Sequence, residues 1–323
     1  MNMRTKLQTF LLLFLITVRV NAQEKSTYWD NLKDRESTLG IEDGFTEVKT
    51  DEFTLKLVNA SQTVAGLYPN SDPDFDFTTG ERIEIRDKDG IYYIGDLNFR
   101  IKGDNGQWES FSTAKNRKKV EALTVSGDVL AAADLSNTLG KNNPLSIKRY
   151  YEKKDGALVL RFEITNPTNK SVEIGALGTP MAFNNILEGK HLDETHADNV
   201  FFDPYIGKDA GYVEVKHLTG EGQVLLVLPE QNMPFEAYRP LNDDPTTRSI
   251  VFEGVHEWMA LSKAYSEKEW KGKEQWNKPT SLILRGGETK NFALKFVLAP
   301  GIKEIQDKLI EEKRPVAVGV PGY

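Results

Sequence analysis

An all-β fold, a large antiparallel β-sandwich followed by a C-terminal helix, is the class that the sequence predicts. Three observations lead there. Alternating apolar and polar residues recur along the chain, as in "ALVLRFEIT", where Leu158, Leu160, Phe162 and Ile164 fall on one side. Turn dipeptides punctuate these runs at Asp89-Gly90, Asp155-Gly156 and Gly286-Gly287. Helical periodicity is confined to two stretches, 257–270 and 301–314.

The first 22 residues read as a secretory signal. Arg4 and Lys6 precede the apolar run "FLLLFLITV", which is too short to span a bilayer, and "VNA" offers a cleavage site after Ala22. The mature chain is expected in the periplasm or outside the cell. It has no cysteine, so neither a disulfide nor a cysteine-borne lipid anchor is available, and stability must come from buried apolar area.

Residues 23–300 read as the sandwich. "FTLKLV" alternates Phe53, Leu55 and Leu57. "RIEIRDKDGIYYIGDLNFRIKGDNG" reads as strand, turn, strand, turn. "LSIKRYYEKKDGALVLRFEITN" is a hairpin about Asp155-Gly156. "YVEVKHLTGEGQVLLVLPE" repeats that form with a fully apolar second arm. "EWMALSKAYSEKEW" reads as a helix or a crossing. "SLILRGGETKNFALKFVLA" reads as a last hairpin, with Leu282 and Leu284 before Gly286-Gly287 and Phe292, Leu294, Phe296 and Leu298 after it. Residues 301–323 hold an amphipathic helix, with Ile302, Ile305 and Leu309 on one side and Pro315 as its stop, and then a Val-rich tail.

Formal charge is −7, and removing Arg4, Lys6 and Arg19 with the signal takes it to −10. Nucleic acid and anionic lipid need clustered cations, so neither is an expected partner. The one basic cluster, "KNRKK" at 115–119, reads as a solvated turn. No segment beyond the signal is apolar enough to span a membrane.

Several stretches carry residues that chemistry uses. His191 and His196 lie five apart beside Asp193, Glu194 and Asp198, whereas a zincin helix needs a spacing of four; a solvated polar loop is the plainer reading. Asp72, Asp74 and Asp76 alternate as in a calcium loop, but Phe77 stands where the loop needs Gly and Ile83 where it needs Glu. No metal and no cofactor is assigned. Glycoside hydrolysis needs paired carboxylates, for which Glu236, Glu253, Glu257, Glu267 and Asp203 are candidates that sequence cannot rank. No nucleophile elbow and no phosphate-binding glycine loop is present.

Sugar recognition has more support. Aromatic faces match sugar C–H faces, and bidentate polar groups match hydroxyl edges. Trp258, Tyr265, Glu267, Trp270 and Trp276, with Tyr238 and Arg239, form the candidate carbohydrate-binding or domain-interface set. The competing reading is that these aromatics plug the ends of the sandwich. Asn184 and Asn185 read as loop-forming.

The strings "YIGDLNFRIK" (93–102), "EIGALGTPMAFNN" (173–185), "FFDPYIGKDAGYVEVKHLTGEGQVLLVLPE" (201–230), "PFEAYRPL" (234–241) and "EGVHEWMALSKAYSEKEWKGKEQWNKPTSLILRGGET" (253–289) resemble a family of secreted, glycoside-hydrolase-like proteins of the six-hairpin glycosidase superfamily. The resemblance implies a galactose-mutarotase-like super-sandwich that a helical linker joins to an (α/α)6 toroid bearing the catalytic carboxylates. It implies that residues 301–323 lead toward that toroid, which this sequence lacks. A sandwich-first order leans toward hydrolase or phosphorylase ancestry rather than lyase. Three functions follow as expectations: the sandwich portion of a polysaccharide-acting glycoside hydrolase, a stand-alone glycan-binding module, or a mutarotase-type epimerase. For the last, His217, His256 and Glu257 are the available actors.

Overall fold

The hairpin about Asp155-Gly156 sets the register of the largest sheet. Asp155 (φ 51°) and Gly156 (φ 83°) both take left-handed backbone, the combination a two-residue hairpin turn requires. They join β8 (Ser146–Lys154) to β9 (Ala157–Thr165) with Lys154 opposite Ala157. The computed structural model describes residues 32, 35–187, 190–245 and 253–316. The signal sequence read at 1–22 and the tail beyond Val316 lie outside the described residues.

Three antiparallel sheets form the body. The first runs β1 (Phe45–Lys49), β2 (Phe53–Val58), β3 (Val64–Pro69). The second comprises β4 (Asn98–Lys102), β5 (Trp108–Ser112), β10 (Val172–Met181), β14 (Ala237–Pro240), β15 (His256–Leu261) and β16 (Leu282–Leu284), in the order β14-β15-β10-β4-β5 with β16 also on β10. The third adds β6 (Glu121–Ala122), β7 (Val129–Asp134), β11 (Val200–Tyr205), β12 (Tyr212–His217), β13 (Val224–Pro229) and β17 (Thr289–Ala299), in the order β11-β12-β13-β17-β9-β8-β7-β6. The expected large antiparallel sandwich is therefore what the chain builds.

One continuous core joins the sheets. Leu158, Leu160, Phe162 and Ile164 enter it from β9, and Phe292, Leu294 and Phe296 from β17. Across from them sit Phe99 and Ile101 of β4, Leu177 of β10 and Trp258 of β15. The apolar arm "VLLVL" is buried on both faces for a second reason. Val224, Leu226 and Leu228, with Val297 and Ala299, are covered from behind by Ile305 and Leu309 of the helix Ile305–Glu311.

Five segments depart from the sequence expectation. The run "IEIRDKD" is a helix, Ile83–Asp89, not a strand. Its buried residues are Arg86 and Asp87, not the alternating isoleucines. Asp87 accepts hydrogen bonds from Leu39 N (2.8 Å) and Ser37 Oγ (2.6 Å), and Arg86 donates to the Tyr92 carbonyl (2.8 Å). Those bonds outweigh the two-residue apolar pattern. The stretch read as a loop after His191 is a helix, Leu192–Asp198, whose Glu194 carboxylate accepts from His191 N at 3.0 Å. Residues 256–261 are strand, and helix is confined to Lys263–Ser266. The last pair is not a hairpin: β16 joins β10 of the second sheet, whereas β17 joins β9 and β13 of the third, so Gly286-Gly287 carries the chain between sheets. In the final helix Ile305 and Leu309 are buried as expected, but Ile302 is 44% exposed, because a 3-10 turn at Ile302–Glu304 rotates it off that face. Among the described residues no helix is long and apolar enough to cross a membrane.

Candidate functional site

Strand alternation gives the second sheet two unlike faces. Phe99, Ile101, Trp258 and Ala260 point into the core. Their neighbours Asn98, Arg100 and Glu257 line the other face. There a cleft of about 640 Å³ opens over β14, β15, β10, β4 and β5. Its floor is low because β10 carries Ala176 and Gly178 at the outward positions. A Cβ on Gly178 would lie 2.6 Å from Glu257 Cγ, and one on Gly175 would collide with the Trp108 indole. The two glycines let a carboxylate and an indole lie flat across the strand.

Glu257 is the centre of the cleft's polar network. Register places it opposite Arg239, whose Nε donates to Glu257 Oε2 at 2.6 Å. Asn98 Nδ2 donates to Oε1 at 2.7 Å. The residue is only 1% exposed. Burial pushes its carboxyl above the usual carboxylate range, and Arg239 and Asn98 oppose that push without cancelling it. Arg100 forks onto Glu269, with Nη1 and Nη2 at 2.9 and 2.7 Å from its two carboxylate oxygens. Burial works against ionised Glu269, but the hydrogen bonds from Arg100 outweigh it and hold the carboxyl below its ordinary range. Both guanidinium groups rest on the Tyr265 ring, at 3.8 Å for Arg100 and 4.6 Å for Arg239.

The far wall is positioned by a buried ion pair. Asp244 takes the backbone N–H groups of Ile91 and Tyr92 (3.1 Å each) and faces Arg86 at 3.4 Å. This fixes the preceding Asp243 against the Tyr92 hydroxyl (2.9 Å) and Lys115 (2.6 Å).

The sequence candidates divide by face. Arg239 and Tyr265 line the cleft. Beside it Trp270 packs on Tyr265 at 5.1 Å between centroids, and Glu267 accepts from Trp108 Nε1 at 2.8 Å. Trp258 is 0% exposed, stacked on Phe235 at 3.9 Å and donating to the Pro234 carbonyl. Tyr238 is half-buried, packed on the core beside Phe235 and His256. Both are core residues here, one position away from Glu257 and Arg239 and hence on the opposite face. Trp276 is 89% exposed and does not line the cleft.

The carboxylate candidates scatter. Glu236 latches Ser262 and Thr280, Asp203 pairs with Lys216, and Glu253 accepts from Leu187 N. The sequence reading passed over Asn98, Arg100, Tyr92, Asp243 and Trp108. Its available signals were the polar positions of "NFRIK" and the two glycines interrupting an apolar strand.

None of the four histidines lines the cleft. His256 is adjacent to Glu257 on β15, so the two face opposite ways, and His217 stacks on Phe75 in the third sheet. Asp76, from the calcium-like run, accepts from Leu67 N, Thr78 N and Thr78 Oγ1 through one oxygen. Among the described residues no group of three or more His, Asp or Glu is placed to hold a metal ion. Asn184 and Asn185 hold loops, donating to the carbonyls of Asp198 and Gly254.

One protein family matches residues 56–323. The chain belongs to that family, which is described as of unknown function (DUF5695). No curated protein matches it. Among solved structures, a polysaccharide lyase is similar over 83% of this chain, with a TM-score of 0.61 and 13% identity. The match covers 35% of the lyase, so the chain spans about a third of that protein's length. A galactose mutarotase-like protein from Lactobacillus casei is similar over 79% of this chain and 100% of its own, with a TM-score of 0.46 and 11% identity. One from Clostridium acetobutylicum is similar over 79% and 94%, with a TM-score of 0.47 and 10% identity. The lyase likeness concerns the fold: this DUF5695 chain has the sandwich architecture of part of that lyase.

Proposed function

We propose that this chain is the saccharide-binding sandwich of an exported, glycoside-hydrolase-like protein that acts on polysaccharide. On this reading the bond-breaking carboxylates belong to a helical (α/α)6 domain outside this sequence. The observation that carries the proposal is the cleft itself. It is open along a sheet face, has a floor of small residues, and is walled by Tyr265, two fixed guanidinium groups and amide and hydroxyl side chains. Such a surface offers a C–H-stacking face and bidentate donors together, as a pyranose ring requires.

The carboxylates support placing the chemistry elsewhere. Glu257 is 1% exposed with both oxygens already hydrogen-bonded, and Glu269 and Asp243 are each held by a cation at 2.7 and 2.6 Å. A general acid needs a proton to give, and an arginine or lysine at that distance favours the ionised form. The epimerase alternative needs an imidazole facing a carboxylate across the sugar, and no histidine lines the cleft.

The test is retention of the purified chain on a panel of immobilised plant, algal and bacterial polysaccharides. Tyr265→Ala is expected to weaken the best binding at least tenfold, the order a lost aromatic–sugar contact produces, with the far-ultraviolet spectrum unchanged. Failure of the folded chain to bind any saccharide would refute the reading. So would turnover of a polymer by this chain alone at an ordinary enzymatic rate.

A further inference from the structure

We infer that the saccharide this cleft receives is acidic, with a sugar carboxylate gripped by the terminal guanidinium nitrogens of Arg239. The inference rests on the saccharide-binding reading and specifies its ligand class.

Arg239 is anchored at one end only. Its Nε is committed to Glu257 at 2.6 Å, and its ring-facing side lies on Tyr265. Among the described residues neither Nη1 nor Nη2 has a hydrogen-bond partner, and the side chain keeps 21% of its exposure, on the cleft side. The outcome is a rigid fork of N–H donors aimed into an open site. A planar carboxylate is the group that matches such a fork with two parallel hydrogen bonds. Arg100 differs: both of its terminal nitrogens are spent on Glu269.

Charge points the same way. Arg100, Lys115, Lys141 and Arg239 line the cleft against Asp243, Glu257 and Glu269, an excess of one positive charge on a chain whose formal charge is −7. The three acids are each occupied by a cation, whereas exposed Lys141 has no ion-pair partner among the described residues. An incoming anion therefore meets neutralised carboxylates, the unpaired charge of Lys141 and the open terminal N–H donors of Arg239. Local fields of this kind raise the concentration of an oppositely charged ligand in a cleft.

The experiment compares each of several polyuronates with its own carboxyl-reduced form, which keeps backbone and linkage and removes only the charge. The probes are polygalacturonate, alginate and hyaluronate, measured by retardation in affinity gels with the full chain. At least one polyuronate is expected to be held tenfold or more tighter than its reduced partner, and the preference is expected to shrink as salt rises from 0.05 to about 0.5 M.

Arg239→Gln strands buried Glu257 and risks the fold, so the double variant Arg239→Gln/Glu257→Gln, which keeps a neutral hydrogen-bonding pair, is measured beside it. In the folded variant the preference for the charged form is expected to vanish, with weak binding of the reduced form retained. Equal or tighter binding of the reduced polymers overturns the inference and leaves the saccharide reading intact. Absence of binding to every polymer, charged or reduced, refutes the underlying reading instead.

Discussion

Glu257 lies across β10 because Gly178 has no side chain to stop it. Gly178 does not take left-handed backbone, so alanine is excluded by the neighbouring carboxylate and not by its own conformation. Gly178→Ala should push Glu257 off the Arg239–Asn98 pair and cost about 1–3 kcal/mol, the range for overfilling a packed site. A fall in the denaturant midpoint with unchanged slope would show it; an unchanged midpoint would mean that Glu257 does not depend on that gap. The same scale explains what the sequence revealed of the cleft. Arg239 and Tyr265 were legible as side chains suited to sugars. Tyr238 and Trp258 look equally suited, yet each is one position from a cleft residue, and a strand turns consecutive residues to opposite sides. Only the register of β14 on β15 decides which of each pair meets solvent. Asn98 and Arg100 were missed because polar residues alternating on a strand look like any wetted face.

Elements repeat the lesson with backbone partners in place of side chains. The hairpin of β8 and β9 was fully legible, since its turn and both strands are local. The strand pair read at 282–299 was not. Its two arms alternate correctly, but each finds its partner in a different sheet, and no local pattern records that. The helix Ile83–Asp89 was hidden because its buried positions are Arg86 and Asp87, which take their place through distant hydrogen bonds. The C-terminal helix offers a direct measurement. Leu309 is 2% exposed against Val224, Leu226 and Val297, whereas Ile310 is 58% exposed. Leu309→Ala is expected to lower stability by about 2–4 kcal/mol and Ile310→Ala by about 0.5 kcal/mol or less, read from chemical unfolding. Equal losses would mean that the helix does not seal the back of β13 and β17.

Across the molecule, buried polar groups tie the sheets together. Arg149, 1% exposed on β8, donates to the carbonyls of Gly95 (2.6 Å) and Ser61 (2.7 Å), joining the third sheet to segments before β4 and after β2. Asp76, which accepts from Leu67 of β3 and from Thr78, makes stability depend on pH. Burial raises its pKa to about 6 from an ordinary 3.8, and the hydrogen bonds from Leu67 and Thr78 do not offset that. The folded state then holds a proton that the unfolded state has released. The contribution is intact below about pH 3.8 and is lost as pH rises through about 6, amounting to about 3 kcal/mol by linkage. Asp76→Asn should remove this fall, so the stability difference between wild type and variant should change by that amount between pH 3.5 and 6.5. A constant difference across the range would exclude the effect.

The position of β17 has a consequence for biogenesis. Residues 289–299 are the last strand among the described residues yet sit between β9 and β13, in the middle of eight. Until they emerge, the β6–β9 half and the β11–β13 half have no shared hydrogen-bonded seam, and a nascent polypeptide must carry both open. The molecule is thus keyed by one late rung: neither half of this wall can shut until residues 289–299 have been made and paired.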